Sequence, residues 1–385
     1  MVTGTKKPGS YNFDKKFLLQ QDSSLIELSY ENSSVLVSAR YQGKVFTSTS
    51  DMDKGRSFGW INYKAFSAPI DRHMNAYGGE NRLWLGPEGG RYSLFFKKGD
   101  TMLFNNWRTP AAFDTEPWNI SKKDKQSVTL NKNMKLVNYT GSVLSLEIER
   151  TIRMEEKEEI EELFSIELLD SVEFVGYATI NILRNTGKFA WNDSTGMPCI
   201  WILDMFNPSP QTTIVIPYKP ATERDTVATT NYFGEPGSDR LRFDSSIVYF
   251  KADGRKRGKI GILPKYALPV AGSYDAVENV LTVTYFSVDS TGRYLNQLWN
   301  TTSSTYSGDA VNAYNDGPLA NGTQMGPFYE IESVSPAAFL QPRQELAHHH
   351  NVYHFTGSRT QLDSIAKKIF GVDTKEIEEV WDERE

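Results

Sequence analysis

"SVLSLEIER", residues 142–150, is the stretch of sequence that decides the fold of this chain. Its apolar residues Leu144, Leu146 and Ile148 alternate with serine and glutamate residues. Because successive side chains of a β-strand point to opposite faces, this period of two predicts a strand with one buried face and one hydrated face. Strands of this kind are typical of antiparallel sheets.

The same alternation recurs in short runs along most of the 385 residues, including "SLIELSY", "SVLVSARY", "TIVIPY", "NVLTVTYFSV" and "GPFYEIES". Gly, Pro, Asn and Asp residues, which favour turns, separate these runs. No fixed repeat and no linker of low complexity divides the chain. We therefore predict an all-β fold of packed antiparallel sheets in a single domain over residues 1–385, with a core at about residues 11–372.

Helical patterns are confined mainly to the two ends of the chain. The segment "TQLDSIAKKIFG" places its apolar residues on one stripe and ends at Gly371, a residue suited to a left-handed helix cap. We predict short helices near residues 12–21 and 360–381, the second within a helical tail at 360–385. The acidic run "MEEKEEIEELFS" fits either a helix or the polar tip of a long hairpin, and we interpret it as a solvated face.

Charge and composition exclude several classes of partner. The formal net charge is −6 and the Lys and Arg residues are scattered, so the chain lacks the basic stripe that binds nucleic acid. No apolar run approaches the roughly 20 residues that span a bilayer, which predicts no transmembrane segment. The single cysteine, Cys199, has apolar neighbours and is interpreted as a buried structural thiol.

An arginine and a tryptophan share a short strand in "NAYGGENRLWLGPEGG", residues 75–90. The pattern puts Arg82 and Trp84 on one face of that strand. This pair suits a sugar, because an indole stacks on the apolar face of a pyranose while a guanidinium donates to hydroxyl groups. The alternative is an arginine stacked on a tryptophan for packing alone.

Four of the five histidines lie in "ELAHHHNVYH", residues 345–354, where period two places His348 and His350 on one strand face. The same argument places Glu330 and Glu332 on one face of "GPFYEIES". We predict that the two pairs meet in one pocket, where His348 is an acid/base partner for Glu330.

In that pocket His348, His350 and Glu330 could also hold a divalent metal such as Zn, Ni, Mn or Fe, although no cofactor is required. The alternative is an exposed edge strand whose histidines meet only water. His349 and His354 are interpreted as structural residues.

Loop residues supply the remaining polar candidates for substrate binding. "AYNDGPLANG" offers Asn315 and Asp316, which could also form a simple turn. His73 and Glu80 could flank the same cleft from the N-terminal half, with His73 as a substitute catalytic acid because its ordinary pKa is near neutral. Trp299 is a stacking platform or a core residue.

Longer motifs carry a family resemblance. "NAYGGENRLWLGPEGGRYSLFF", "NYFGEPGSDRL" and "GPFYEIESVSPAAFLQP" resemble an uncharacterised bacterial family, frequent in Bacteroidetes, that is similar to the galactose mutarotase-like supersandwich proteins. The resemblance implies a β-supersandwich with a concave, carbohydrate-binding face and a C-terminal glutamate base, which Glu330 matches. It also implies an acid histidine after a mid-chain asparagine, but here Thr186 follows Asn185.

The resemblance leaves three functions open. The first is an aldose epimerase-like or isomerase-like enzyme whose acid has moved within the cleft. The second is a non-catalytic glycan-binding protein of the cell envelope, and the third is a metal-dependent enzyme that modifies a sugar. Relatives of this kind often carry lipoprotein or export signals, so a periplasmic, envelope or secreted location is expected, with a cytoplasmic one still open. The sequence does not indicate an oligomeric state.

Overall fold

The computed structural model describes residues 7–222 and 224–382. The strands are β1 Ile26–Tyr30, β2 Ser33–Ser38, β3 Lys44–Thr49, β4 Arg82–Gly86, β5 Asn119–Lys123, β6 Ser127–Val137, β7 Val143–Met154, β8 Glu173–Asn185, β9 Cys199–Phe206, β10 Thr212–Pro217, β11 Ala228–Thr229, β12 Leu241–Phe243, β13 Ile247–Lys251, β14 Gly258–Ile262, β15 Val270–Asp275, β16 Val280–Phe286, β17 Val311–Asn315, β18 Tyr329–Val334 and β19 Glu345–Thr356. The helices are α1 Tyr11–Gln21, α2 Lys157–Phe164, α3 Arg359–Phe370 and α4 Thr374–Glu379.

Within residues 7–222 and 224–382, three antiparallel sheets form the fold, as the period of two predicts. The largest has ten strands in the order β12-β13-β10-β15-β16-β19-β8-β7-β6-β5. A six-stranded sheet has the order β11-β14-β17-β18-β9-β4, and β1-β2-β3 form a third sheet. An antiparallel bridge between Val45 and Asn81 places β3 beside β4, so the third sheet continues the edge of the six-stranded one. The all-β prediction is confirmed.

The ten-stranded and six-stranded sheets pack face to face. Strand β18 shows which face is internal: the Tyr329 hydroxyl lies 2.7 Å from Ser273 of β15, and the Ser333 hydroxyl lies 2.7 Å from His348 of β19. Odd-numbered residues of β18 therefore point into the space between the sheets. Even-numbered residues point to the opposite face of the six-stranded sheet, which we call the outer face.

The helices lie where the end patterns predict them. α1 and α3 match the expected helices near 12–21 and 360–381, and α4 follows α3 after Gly371 in its left-handed conformation. α3 and α4 pack on the side of the ten-stranded sheet that faces away from the six-stranded one. The acidic run forms α2, which buries Ile160 and exposes most of its glutamates. No helix in the described part of the chain is long and apolar enough to cross a membrane.

Candidate functional site

Two ion pairs lie on the outer face at the centre of the six-stranded sheet. Glu330 and Glu332 of β18 share this face, which confirms the period-two prediction for the strand. The Arg82 guanidinium reaches across β9 and donates to Glu330 Oε1 at 2.6 Å. The Lys259 ammonium lies 2.9 and 2.8 Å from the two carboxylate oxygens of Glu332. Carboxylates and cations thus alternate across the face.

The Glu330 carboxyl is poised to exchange a proton near neutral pH. Its side chain is only 9% exposed, and burial raises its pKa to about 7, because the charged form loses hydration. The cations Arg82 and Lys259 oppose this rise in pKa, whereas the carboxylates of Glu332 and Asp316 add to it. A carboxylic acid tuned to this range is suited to general acid/base chemistry.

Glu332 is more firmly held than Glu330. Besides Lys259, the indole nitrogen of Trp201 donates to its Oε2 at 2.8 Å, and the side chain is fully buried. Burial opposes the charge on Lys259, but Glu332, Glu330 and Glu88 outweigh burial and raise the pKa of the lysine. Lys259 therefore remains charged, and its contact with Glu332 orders the face beside Glu330.

An aromatic layer covers part of the outer face. Trp84 is 7% exposed and packs against Phe95 and Trp201, with ring centroids 5.4 and 5.7 Å away, and the Arg82 guanidinium lies 5.1 Å from its ring. This geometry favours the packing alternative for Arg82 and Trp84 over an open stacking platform. Trp299 is half-buried and stacks on Trp107 at 6.0 Å, at the margin of the same layer.

A second acidic group, Glu88, contacts Trp299 and Trp107 of this layer and is not among the residues predicted from the sequence. Burial raises its pKa, whereas Lys259 and a hydrogen bond with Trp299 oppose that rise. Its backbone N–H donates to the side chain of Gln297 at 2.7 Å, which fixes the loop after β4. A glutamate between a proline and a glycine in "GPEGG" gives no pattern that separates it from an ordinary turn residue.

The loop residues predicted to bind substrate separate into two groups. Asp316 remains a candidate, since its carboxylate accepts from the Tyr314 hydroxyl at 3.1 Å and contributes to the electrostatics of Glu330. Asn315 is buried, and its amide holds Gly254 and Lys256 in the neighbouring loop. The prediction for Asn315 is wrong, because its buried side chain is occupied by hydrogen bonds that hold the neighbouring loop.

The two candidates from the N-terminal half also differ. His73 is half-buried on a loop, where its ring stacks on Phe104 at 4.4 Å and its Nδ1 lies 2.7 Å from the Trp107 carbonyl. Glu80 does not flank the outer face. It is fully buried between the sheets, where it accepts from Ser48 Oγ at 2.7 Å and lies 3.1 Å from His354 Nε2. The prediction for Glu80 is wrong, because the chain at residues 80 and 81 turns both side chains inward.

The histidine run has a different role from the predicted one. His348 and His350 do share a strand face, but that face is internal, whereas Glu330 and Glu332 lie on the outer face of β18. The backbone of β18 therefore separates the histidines from the carboxylates. The predictions that His348 is the partner of Glu330, and that His348, His350 and Glu330 bind a metal, are wrong. Among residues 7–222 and 224–382, no cluster of three or more His, Cys, Asp and Glu side chains is arranged to hold a metal ion.

The internal histidines form a continuous polar chain. His348 Nε2 lies 2.7 Å from Ser333 Oγ, Ser333 Oγ lies 2.7 Å from His350 Nδ1, and His350 Nε2 lies 2.6 Å from Asp204 Oδ2. The Asn81 amide donates to the other Asp204 oxygen at 2.6 Å. Neutral rings satisfy every contact if each Nε2–H donates and the serine hydroxyl donates to His350.

This chain resembles the Asp-His-Ser set of hydrolases in composition only. Burial lowers the pKa of His348 to about 3, so this ring is uncharged at neutral pH. The hydroxyl of Ser333 is fully buried and shared between two imidazoles, which leaves it inaccessible to a substrate. We interpret the chain as structural. His354 also proves structural, since it stacks on Phe58 at 4.2 Å and contacts Thr282, and His349 is exposed.

One further residue of the outer face was missed. Lys44, the first residue of β3, lies beside Arg82 and is 7% exposed. Burial, the largest cause, and then Arg82 lower its pKa to about 7, while Asp114 opposes them. A lone lysine at the start of a strand looks like an ordinary solvated residue in sequence, so only the docking of β3 beside β4 reveals its position.

The chain has the β-supersandwich fold of galactose mutarotase-like proteins, with packed antiparallel sheets. The chain belongs to the family of unknown function DUF6786, whose model matches residues 9–381. No match to the chain was found among curated proteins.

Two solved structures support the fold, and a third resembles the chain more weakly. The Slr1438 protein from Synechocystis sp. PCC 6803 has a TM-score of 0.52 at 11% identity, with 86% of this chain and 96% of that chain covered. An Escherichia coli K12 protein provisionally named an aldose 1-epimerase has a TM-score of 0.50 at 11% identity, with 86% and 98% covered. A galactose mutarotase-like protein from Lactobacillus casei ATCC 334 has a TM-score of 0.49 at 10% identity, with 86% and 100% covered. At such low identity the likeness extends to the fold alone.

Proposed function

We propose that the protein acts on a carbohydrate at the outer face, with Glu330 as the proton acceptor of an epimerase-like or isomerase-like reaction. The observation that carries the proposal is the Glu330 carboxyl itself, buried on a sheet face, fixed by Arg82 at 2.6 Å and given a pKa of about 7 by burial. The provisional name of the Escherichia coli protein of the same fold points to an aldose as the class of substrate.

The arrangement suits the opening of a cyclic hemiacetal. Ionised Glu330 would take the proton of the anomeric hydroxyl, and the electrons of that O–H bond would form the carbonyl. The bond between the anomeric carbon and the ring oxygen would break as the ring oxygen takes a proton from solvent water. Arg82 holds Oε1 through its guanidinium, so the second carboxylate oxygen, Oε2, is the one that would accept the proton. Asp316 and Tyr314 lie beside Glu330 and supply polar groups for neighbouring hydroxyls.

The test is a search for interconversion of anomers. Wild-type protein is added to a panel of aldoses, and exchange between α and β anomers is followed by NMR. Glu330→Gln is expected to lower kcat by about 10²- to 10⁴-fold, as the loss of a general base does. Glu162→Gln, on the exposed face of α2, is the matched control and should leave the rate unchanged. Equal rates in Glu330→Gln and wild type would contradict the proposal.

A second candidate is a glycan-binding protein without turnover. It is favoured by the position after Asn185, where Thr186 stands in place of the acid histidine that the resemblance implies. In that case a sugar binds to wild type and to Glu330→Gln in calorimetry, but neither protein accelerates anomer exchange. Exchange catalysed by wild type and lost in Glu330→Gln rejects this candidate.

A further inference from the structure

We propose that the turn "GRKRG", residues 254–258, binds an anionic substituent of the sugar through Arg257, so that the substrate is a sugar carboxylate of the uronic acid class. This inference rests on the proposed function, because it places the anion beside Glu330. It gives a role to a group of cations that the reaction at Glu330 does not use.

The turn directly precedes β14 and brings Arg257 to the outer face. Lys259 of β14 points to this face, where it meets Glu332, and side chains two residues apart on a strand point the same way. The Nε of Arg257 donates to the Tyr314 hydroxyl at 3.2 Å, and Tyr314 lies opposite Glu330 in the pairing of β17 with β18. One side chain therefore separates Arg257 from the Glu330 carboxyl.

Three consecutive cations of the turn are exposed and unpaired. Arg255, Lys256 and Arg257 all lie at the surface. Within residues 7–222 and 224–382, none of them forms an ion pair with a carboxylate, whereas the nearby cations Arg240 and Lys259 are both paired. In a chain with a formal net charge of −6, this local excess of positive charge beside the site attracts anions.

The Arg257 guanidinium is held in a fixed orientation. It lies over the Phe233 ring, 3.8 Å from the centroid, and Phe233 is itself 46% exposed. Stacking and the hydrogen bond from Nε fix the plane of the group, while neither Nη atom donates a hydrogen bond to any group in the described part of the chain. Two parallel N–H groups in such a plane match the two oxygens of a carboxylate.

Buried groups hold the backbone of the turn in place. The Asn315 side chain accepts from the Gly254 N–H at 2.8 Å and donates to the Lys256 carbonyl at 2.9 Å. Gly317 packs directly on the same backbone, because a Cβ at that position would lie 2.4 Å from the Arg257 nitrogen. The turn is therefore ordered before a ligand arrives, which lowers the entropy cost of binding.

The acidic groups around Arg257 favour a carboxylate over a phosphate. Asp316 accepts from the same Tyr314 hydroxyl at 3.1 Å, and Glu330 lies near that hydroxyl. A phosphate monoester carries about 1.5 to 2 negative charges at neutral pH, so these groups repel it more strongly than the single charge of a carboxylate. Strands β14 and β18 are two strand spacings apart, about 10 Å, which one sugar bridges together with the two long side chains.

The first experiment measures binding without turnover. Glucose, galactose and mannose are compared with their uronates and their 6-phosphates by calorimetric titration of wild-type protein. At least one uronate should bind more tightly than its parent sugar and its 6-phosphate, and Arg257→Met should weaken uronate binding by roughly 10- to 100-fold, as the loss of a charge-assisted pair of hydrogen bonds does. Tighter binding of a 6-phosphate, or equal binding of uronates and parent sugars, would overturn the proposal.

Two further variants make the binding test specific. Arg257→Lys retains the charge but not the planar pair of donors, so it should recover only part of the uronate affinity. Arg343→Met, which removes an exposed arginine from the loop before β19, is the matched control and should bind like wild type. Equal losses in Arg343→Met and Arg257→Met would contradict a local subsite. Melting curves monitored by circular dichroism check that each variant is folded.

The second experiment separates this inference from the proposed function by anomer exchange. With a uronate, Arg257→Met should raise KM while kcat stays nearly unchanged, because the guanidinium contacts a substituent away from the anomeric carbon. Exchange of neutral aldoses that is lost in Glu330→Gln, without any preference for uronates, overturns the subsite and leaves the role of Glu330 in place. Uronate binding that depends on Arg257, without exchange of any anomer, supports the subsite and removes the role of Glu330.

Discussion

Removal of one hydroxyl should strongly destabilise the internal polar chain. In Ser333→Ala, the two 2.7 Å hydrogen bonds to His348 and His350 disappear, while both imidazoles stay buried between the sheets. A buried polar group that loses its partner costs about 1 to 3 kcal/mol, so two such groups predict a loss of about 2 to 6 kcal/mol in the free energy of unfolding. The methyl group that remains is too small to strain the packing.

The assay is urea unfolding followed by circular dichroism, in which the midpoint falls while the slope stays unchanged. Ser121→Ala is the matched control, since Ser121 is exposed on β5 and its hydroxyl makes one hydrogen bond, of 3.1 Å, to the Thr129 carbonyl. Its effect should stay within about 0.5 kcal/mol. A loss below about 1 kcal/mol in Ser333→Ala would refute the reasoning, because it would mean that neither imidazole depends on the serine.

Two further changes test the aromatic layer and the buried imidazole. Trp84→Ala should lower the free energy of unfolding by about 3 to 5 kcal/mol, as expected for a large core side chain, and calorimetric melting with the exposed Phe104→Ala as control checks this. Because the pKa of His348 is about 3 in the folded chain and ordinary histidine titrates near 6.5, the unfolded chain binds the extra proton between these values. His348 should therefore make stability fall as the pH is lowered below about 6.5, by up to about 1.4 kcal/mol per pH unit. Urea midpoints at several pH values should show a shallower dependence in His348→Gln, and equal slopes would contradict the assignment.

Sequence periodicity predicts local faces well and sheet packing poorly. The alternation in β18 places Glu330 and Glu332 together, and that in β19 places His348 with His350, as the structure has them. Alternation within a strand does not state which of its faces meets another sheet. Their many titratable groups favour one shared pocket in the sequence, but β18 itself separates the two pairs.

Residues whose roles depend on distant strands were the hardest to predict. Lys44 lies beside Arg82 only because the Val45–Asn81 bridge joins the edge of the three-stranded sheet to the edge of the six-stranded one. The prediction for Glu80 is wrong because an irregular backbone before β4 turns its side chain away from the outer face. Nothing in the local pattern of either segment encodes these directions.

The division of β18 into two interleaved sets has a consequence for protein engineering. Ser333 and Tyr329 fix how the strand sits against the ten-stranded sheet, whereas Glu330 and Glu332 meet only the outer face. A slip of one residue would bring the carboxylates against the histidines and expose the serine, so the odd positions specify the register. Substitutions that change the ligand chemistry can therefore be made at the even positions, because the contacts of the odd positions still align the strand.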